Sequence, residues 1–164
     1  LSKEIPRIPV VKSFEDFMLF SKAGRKLGDL HVNYETVKPY EVTFDNDFYK
    51  NKKNSDSKSF YYVKNMKFFG KRKNFDKTKV IYNPNITIHN IPLEAYKYVV
   101  NRKPALEWIM ELQKVKMDKE SGILNDANDY ANETMKNPAY PLELFRRIIT
   151  VSLETMTIIS CQVG

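Results

Sequence analysis

Apolar positions in the first quarter of the chain recur at helical spacing. Phe14, Phe17, Met18, Leu27, Leu30 and Tyr34 follow a repeat of three to four residues, which predicts a helix from about Phe14 to about His31. Ser13 stands where an N-cap belongs, with Asp16 in the acidic position of a capping box. Gly24 weakens this helix or lets another backbone approach it, and Pro39 marks the exit. Pro6 and Pro9 make the first dozen residues an extended lead-in.

From Tyr40 the period changes. Tyr40–Phe44, Phe60–Val63, Met66–Phe69, Lys79–Tyr82 and Ile86–Ile88 are short runs of β-formers separated by Asn, Asp, Ser and Gly. Alternation between Tyr62 and Lys67 is imperfect and leaves the facing open. Asn46 to Ser59 is polar and lysine-rich, which predicts a long mobile loop or hairpin tip. Pro92 opens a short helix through Val99. Pro104 sits at the first turn of another, with Ala105, Trp108, Ile109 and Leu112 on one face. Asp118 to Asn125 reads as a turn around Gly122. Pro141 starts a final helix with Leu144, Phe145, Ile148, Ile149, Ser152 and Met156 along one side.

The order helix, strands, helices predicts an α+β domain, its mostly antiparallel sheet in the middle of the chain and its helices at the N- and C-terminal ends. The expected divisions are a helical lead-in over 1–39, a basic strand-and-loop region over 40–90 and a helical part over 91–164. A length of 164 residues suits one such domain with its own core.

Charge changes the picture most. Between Lys50 and Lys79 lie eleven basic and two acidic residues, a net of +9 on a chain whose total is +7. Everything outside that stretch is slightly acidic. Clustered cations displace condensed counterions from phosphates far better than scattered ones, so the zone predicts polyanion contact. Lys52, Lys53, Lys58, Lys71, Arg72 and Lys73 would neutralise phosphates. Asn54 and Asn74, with Asn51, Ser55 and Arg72, have the donors and acceptors that read base edges. Phe60, Tyr61, Tyr62, Phe68, Phe69 and Phe75 are interleaved with these lysines; such aromatics serve a sheet's core more often than they stack on bases.

The remaining chemistry is sparse. One cysteine, Cys161, excludes an internal disulfide framework and suits a reducing compartment; near the end of an apolar helix it reads as packing. His31 and His89 stand alone beside apolar residues and read as structural. With Cys161 they give no zinc spacing. Asp126, Asp129 and Glu133 read as a solvated helix face. Asn137-Pro138-Ala139-Tyr140 is similar to the Asn-Pro-Pro-Tyr motif of amino-group DNA methyltransferases, but its third residue is Ala and no glycine-rich strand-turn-helix precedes it. It reads instead as the lead-in to the last helix. No apolar run is long enough for a membrane span. Leu1-Ser2-Lys3-Glu4 offers no initiator Met and no apolar signal core, which fits a piece of a longer protein and equally the removal of a tag. On its residues the chain is a binding module rather than a catalyst.

Several segments carry a family resemblance: Leu30–Glu35, Tyr82–Tyr96, Tyr98–Met110, Asp118–Tyr130, Asn137–Tyr140 and Val151–Thr155. Through them the chain resembles the C-terminal target-recognition (specificity) domain of type ISP restriction-modification enzymes, which are very large single-chain bacterial proteins. The resemblance spans essentially the whole chain and is weakest between Glu35 and Tyr82. It implies a cytoplasmic parent with a nuclease, a superfamily-2 helicase-like ATPase, a coupling region and an adenine-specific DNA methyltransferase. Such a parent uses S-adenosylmethionine, ATP and magnesium, with no cofactor in this domain. The partners implied are double-stranded DNA and the parent's own methyltransferase and helicase domains. The implied role is to read an asymmetric DNA sequence, present its adenine for methylation and license translocation and cleavage. The competing reading is an interdomain docking module whose basic patch grips DNA without reading it.

Overall fold

The computed structural model describes residues 11–71 and 74–161. Most of the expected extended lead-in therefore lies outside the described residues. Helix α1 (Phe14–Val32) begins as its cap predicts, with the Ser13 side chain accepting the Asp16 amide at 3.1 Å. Its buried Ala23 lets it approach α6 (Tyr140–Ser160), the longest helix. His31 joins the two: its Nε2 lies 3.0 Å from Thr155 Oγ1 and its ring stacks on Tyr98.

A four-stranded antiparallel sheet occupies the middle of the chain, in the order β1 (Thr43–Phe44), β4 (Ile86–His89), β3 (Asn74–Asn83), β2 (Lys67–Lys71). The α+β architecture is thus the one the pattern predicts. Val80, Tyr82, Ile86 and Ile88 form the sheet's share of a core completed by Leu106, Phe145 and Ile149. The strand expected over Tyr40–Phe44 shrinks to two residues because Tyr40 pairs with α6 instead. Its N–H donates to the Arg146 carbonyl at 3.1 Å, and Arg146 Nε donates to the Tyr40 carbonyl at 2.9 Å.

Two other expectations fail for physical reasons. Asn46–Ser59 is mostly helical, forming α2 (Phe48–Asn54) and the start of α3 (Ser57–Tyr61). Phe48 and Phe60 are both buried and anchor the lysine-rich turns between them, while the Asp56 carboxylate caps α3 through the Ser59 amide at 3.0 Å. Phe60–Val63 is not a strand. Its backbone is satisfied by side chains: Asn83 Nδ2 donates to the Phe60 and Tyr62 carbonyls, and the Tyr82 hydroxyl donates to the Tyr61 carbonyl at 2.7 Å. Burial pushes the Tyr82 hydroxyl pKa up, so it stays a neutral donor. On the other side Asn128 binds both the N–H and the C=O of Val63, at 2.9 and 2.8 Å.

The rest of the chain is helical with two small ribbons. A 3-10 helix over Leu93–Lys97 replaces the longer helix expected after Pro92, and Val99 belongs to β5 (Val99–Val100), paired with β6 (Lys103–Pro104). Helix α4 (Ala105–Leu112) follows Pro104. The turn at Gly122 is closed by β7 (Lys116–Met117) and β8 (Leu124–Asn125). Helix α5 (Ala127–Asp129) runs into a π-helical turn, Tyr130–Thr134. On α6, Phe145, Ile149 and Ser152 are buried, whereas Leu144, Ile148 and Met156 are only partly covered. Cys161, expected to pack, is exposed. No helix among the described residues is long and apolar enough to cross a membrane.

Candidate nucleic-acid interface

The basic zone resolves into two structures. The first is the β2–β3 hairpin. Phe68 faces Val80 and Phe69 faces Asp76, so Lys77, Thr78 and Lys79 bulge out of β3 without partners on β2. Such an insertion bends a ribbon and re-aims what lies beyond it. This bulge is pinned from below: the Tyr96 hydroxyl donates to the Lys77 carbonyl at 2.9 Å, and the Ile91 amide donates to the Thr78 carbonyl at 3.0 Å. Asp76 closes it by accepting from the Thr78 hydroxyl and amide, bonds that hold its carboxyl below the usual range.

Beyond the bulge the ribbon leaves the body. Every described residue from Phe69 to Phe75 is exposed, so both faces of this end meet solvent. A half-buried strand would alternate instead. Gly70 makes the end possible: its φ is +105°, and a Cβ there would lie 2.6 Å from the Asn74 carbonyl oxygen. Lys71 and Asn74 face each other across the ribbon.

The second structure is the α2–α3 pair. Phe48 stacks on Phe44 of β1 with centroids 4.2 Å apart, which sets these helices against the sheet edge opposite the hairpin. The pair carries Lys52, Lys53, Asn54 and Lys58, all exposed. Lys52 Nζ sits 5.8 Å from the centre of the Tyr61 ring. Among the described residues, none of Lys50, Lys52, Lys53, Lys58, Lys64, Lys67 and Lys71 has a carboxylate within 4.0 Å. The zone's two carboxylates are spent on scaffold, Asp56 as a helix cap and Asp76 in the bulge. What remains outward is an uncompensated cationic surface.

The predicted residues therefore divide. Lys52, Lys53, Asn54 and Lys58 come together on α2–α3, and Lys71 and Asn74 come together at the hairpin end. Arg72 and Lys73 lie outside the described residues. Lys77 and Lys79, counted in the charge, are drawn inward. Lys77 bonds Glu107 at 2.9 Å between the rings of Phe68 and Tyr96, and Lys79 lies over Phe69. The six aromatics split evenly. Phe60 and Tyr61 are buried and Phe68 is partly covered, while Tyr62, Phe69 and Phe75 are exposed. Phe69 and Phe75 were not candidate site residues in the sequence. Only Gly70 and the turn-prone Lys71–Asn74 stretch hinted that the flanking aromatics stand on a projecting ribbon.

Other flagged groups are structural. His89 Nε2 bonds Asp45 at 2.7 Å. Asn137 Oδ1 accepts the Ala139 amide at 3.0 Å and so shapes the entry to α6. Asp126 caps α5 through the Asn128 amide at 2.8 Å, while Asp129 and Glu133 are exposed. Among the described residues no group of three or more His, Cys, Asp and Glu could hold a metal ion.

Comparison with known proteins matches residues 1–144 to the family described as the Type ISP C-terminal specificity domain. Among solved structures, a nuclease-deletion mutant of the Type ISP restriction-modification enzyme LlaGI in complex with a DNA substrate mimic is 40% identical, with a TM-score of 0.73. The match covers 96% of this chain and 13% of that one. The ATP-dependent Type ISP restriction-modification enzyme LlaBIII bound to DNA is 39% identical over all of this chain and 10% of its own, with a TM-score of 0.75. A DrdV–DNA complex shares the fold at 23% identity and a TM-score of 0.65, over 90% of this chain and 14% of that one. No curated protein matches the chain.

Proposed function

The chain belongs to the Type ISP C-terminal specificity domains of bacterial restriction-modification enzymes, and on that premise we propose that it reads a defined sequence in double-stranded DNA with the β2–β3 hairpin while α2 and α3 grip the backbone. The observation that carries this reading is the ribbon end, whose described residues Phe69, Gly70, Lys71, Asn74 and Phe75 are all exposed beyond a pinned bulge. The major groove of B-form DNA admits a two-stranded ribbon. Lys71 and Asn74 stand at that end, and Arg72 and Lys73 fall between them in the sequence. Arg72 and Asn74 have the paired donors and acceptors that distinguish bases. The lysines of α2–α3 and Lys67 supply affinity without sequence information.

This chain spans 13% and 10% of the two Type ISP enzymes it matches at 39–40% identity. In a parent of that kind its work is to bind and orient. It holds the target so that an adenine reaches the parent's methyltransferase, and its occupancy licenses ATP-driven translocation and cleavage in the bacterial cytoplasm. S-adenosylmethionine, ATP and magnesium act in those other domains. The groups here that touch DNA are amides, ammoniums and a guanidinium, which position a substrate and break no bond.

Replacing Lys71, Arg72 and Lys73 together by alanine tests the assignment. In the full-length polypeptide the change should weaken binding to a duplex selected from a random pool and flatten the log K against log salt line by about 2 to 3, near 0.9 for each lost phosphate contact. An unchanged slope and affinity would remove the hairpin from the interface. Competition with scrambled duplexes addresses the rest. If they compete as well as the selected duplex, the domain grips DNA without reading it.

A further inference from the structure

A groove of about 860 Å³ lies between the end of α1, α4, the α5 turn and α6. Its walls are largely aromatic and aliphatic: Tyr34, Tyr98, Trp108, Tyr130, Leu144 and Ile148. Among the described residues no Lys or Arg lines it, and Asp126 is the sole carboxylate that does. That composition rejects a phosphate backbone. The domain thus separates two chemistries, cations on the hairpin and α2–α3, and a groove free of them among the helices.

A further feature shows that something other than water suits this groove. Leu112, Tyr130 and Val100 line it yet are 60%, 48% and 38% exposed. Contiguous apolar exposure of this kind marks a protein contact.

We propose that the groove is the docking site for an apolar segment of the same polypeptide, outside these 164 residues. The inference rests on the reading of the chain as one domain of a much longer protein. In the LlaGI and LlaBIII enzymes the matching region is 13% and 10% of a single chain, so a covalently attached partner is always at hand. An intramolecular contact of this sort forms at high effective concentration. It fixes the DNA-reading face relative to the rest of the molecule without using any cation that DNA needs.

The test is photo-crosslinking in the full-length polypeptide, with benzoylphenylalanine placed at position 112 and, in a second protein, at position 53. Mixing isotopically heavy and light chains separates links within a chain from links between copies. The expected result is that position 112 joins peptides outside the 164 residues of the same chain, with or without DNA, while position 53 joins bound duplex. Links from position 112 to DNA, to a second copy, only to peptides within the domain, or to nothing would each overturn the proposal. Failure of position 53 alone would count against the DNA-reading face and leave the docking site standing.

Discussion

Replacing Asn128 by alanine should destabilise the domain far more than its small size suggests. Its carboxamide acts as a piece of backbone: Oδ1 accepts the Val63 amide and Nδ2 donates to the Val63 carbonyl. Val63 is 0% exposed, so neither group can turn to solvent when the side chain is cut away. Each orphaned group costs about 1–3 kcal/mol, which puts the loss at roughly 2–6 kcal/mol. A water admitted to the space left by the amide would bring the value to the lower end. For a chain of this size each kcal/mol lowers Tm by about 2–4 °C, so a fall of roughly 4 °C is the least expected. Denaturant titration followed by circular dichroism measures the loss, and hydrogen exchange at the Val63 amide reports whether it is local in origin. Asn128→Asp separates hydrogen bonding from packing. It keeps the shape and the acceptor but loses the donor and sets a second carboxylate beside Asp126, so at neutral pH it should be at least as damaging. A change below about 1 kcal/mol in Asn128→Ala would refute the view that side chains stand in for a sheet partner along residues 60–63.

Two further outcomes test the hairpin and the sheet edge. Gly70→Ala forces a Cβ to 2.6 Å from the Asn74 carbonyl oxygen at a φ of +105°, a strain of about 1–3 kcal/mol that the exposed ribbon end relieves by opening locally rather than by unfolding the core. DNA affinity measured by titration should fall while Tm barely moves, and unchanged affinity would show that the ribbon's shape is irrelevant. Asp45 is held below the usual carboxylate range, chiefly by its hydrogen bond with His89 and secondly by Thr87. Its contribution is therefore present above the ordinary aspartate pKa of about 3.9 and lost as pH falls through the lower folded value. Asp45→Asn should melt about 1–3 °C below the native chain at pH 7, a small gap because the pair is partly solvated, and the gap should close on acidification below about pH 4. A gap that widened as the pH fell below about 4 would reverse the sign of this linkage.

Local patterns determined much of this protein. Ser13 and Asp16 announced the start of α1, the apolar periods placed α1, α4 and α6, and the β-formers placed β2, β3 and β4. These signals are legible because they depend on neighbours within one or two turns of chain. The +9 zone was equally plain, since formal charge needs no fold to be counted. Tertiary structure decided what that zone is. Phe48 and Phe60 turn a lysine-rich loop into two helices by burial against a core whose other members lie far along the chain. Asn83, Tyr82 and Asn128, 21 to 65 residues away, replace the sheet neighbours that Phe60–Val63 would otherwise need. The bulge at Lys77–Lys79 depends on Tyr96 and Ile91, and it alone separates a buried sheet from an exposed ribbon end. The groove at Gln113 is built from segments more than a hundred residues apart. Hydrogen bonds and packing between distant residues leave no period in a sequence, and the hairpin's direction and the groove's shape rest on just such contacts.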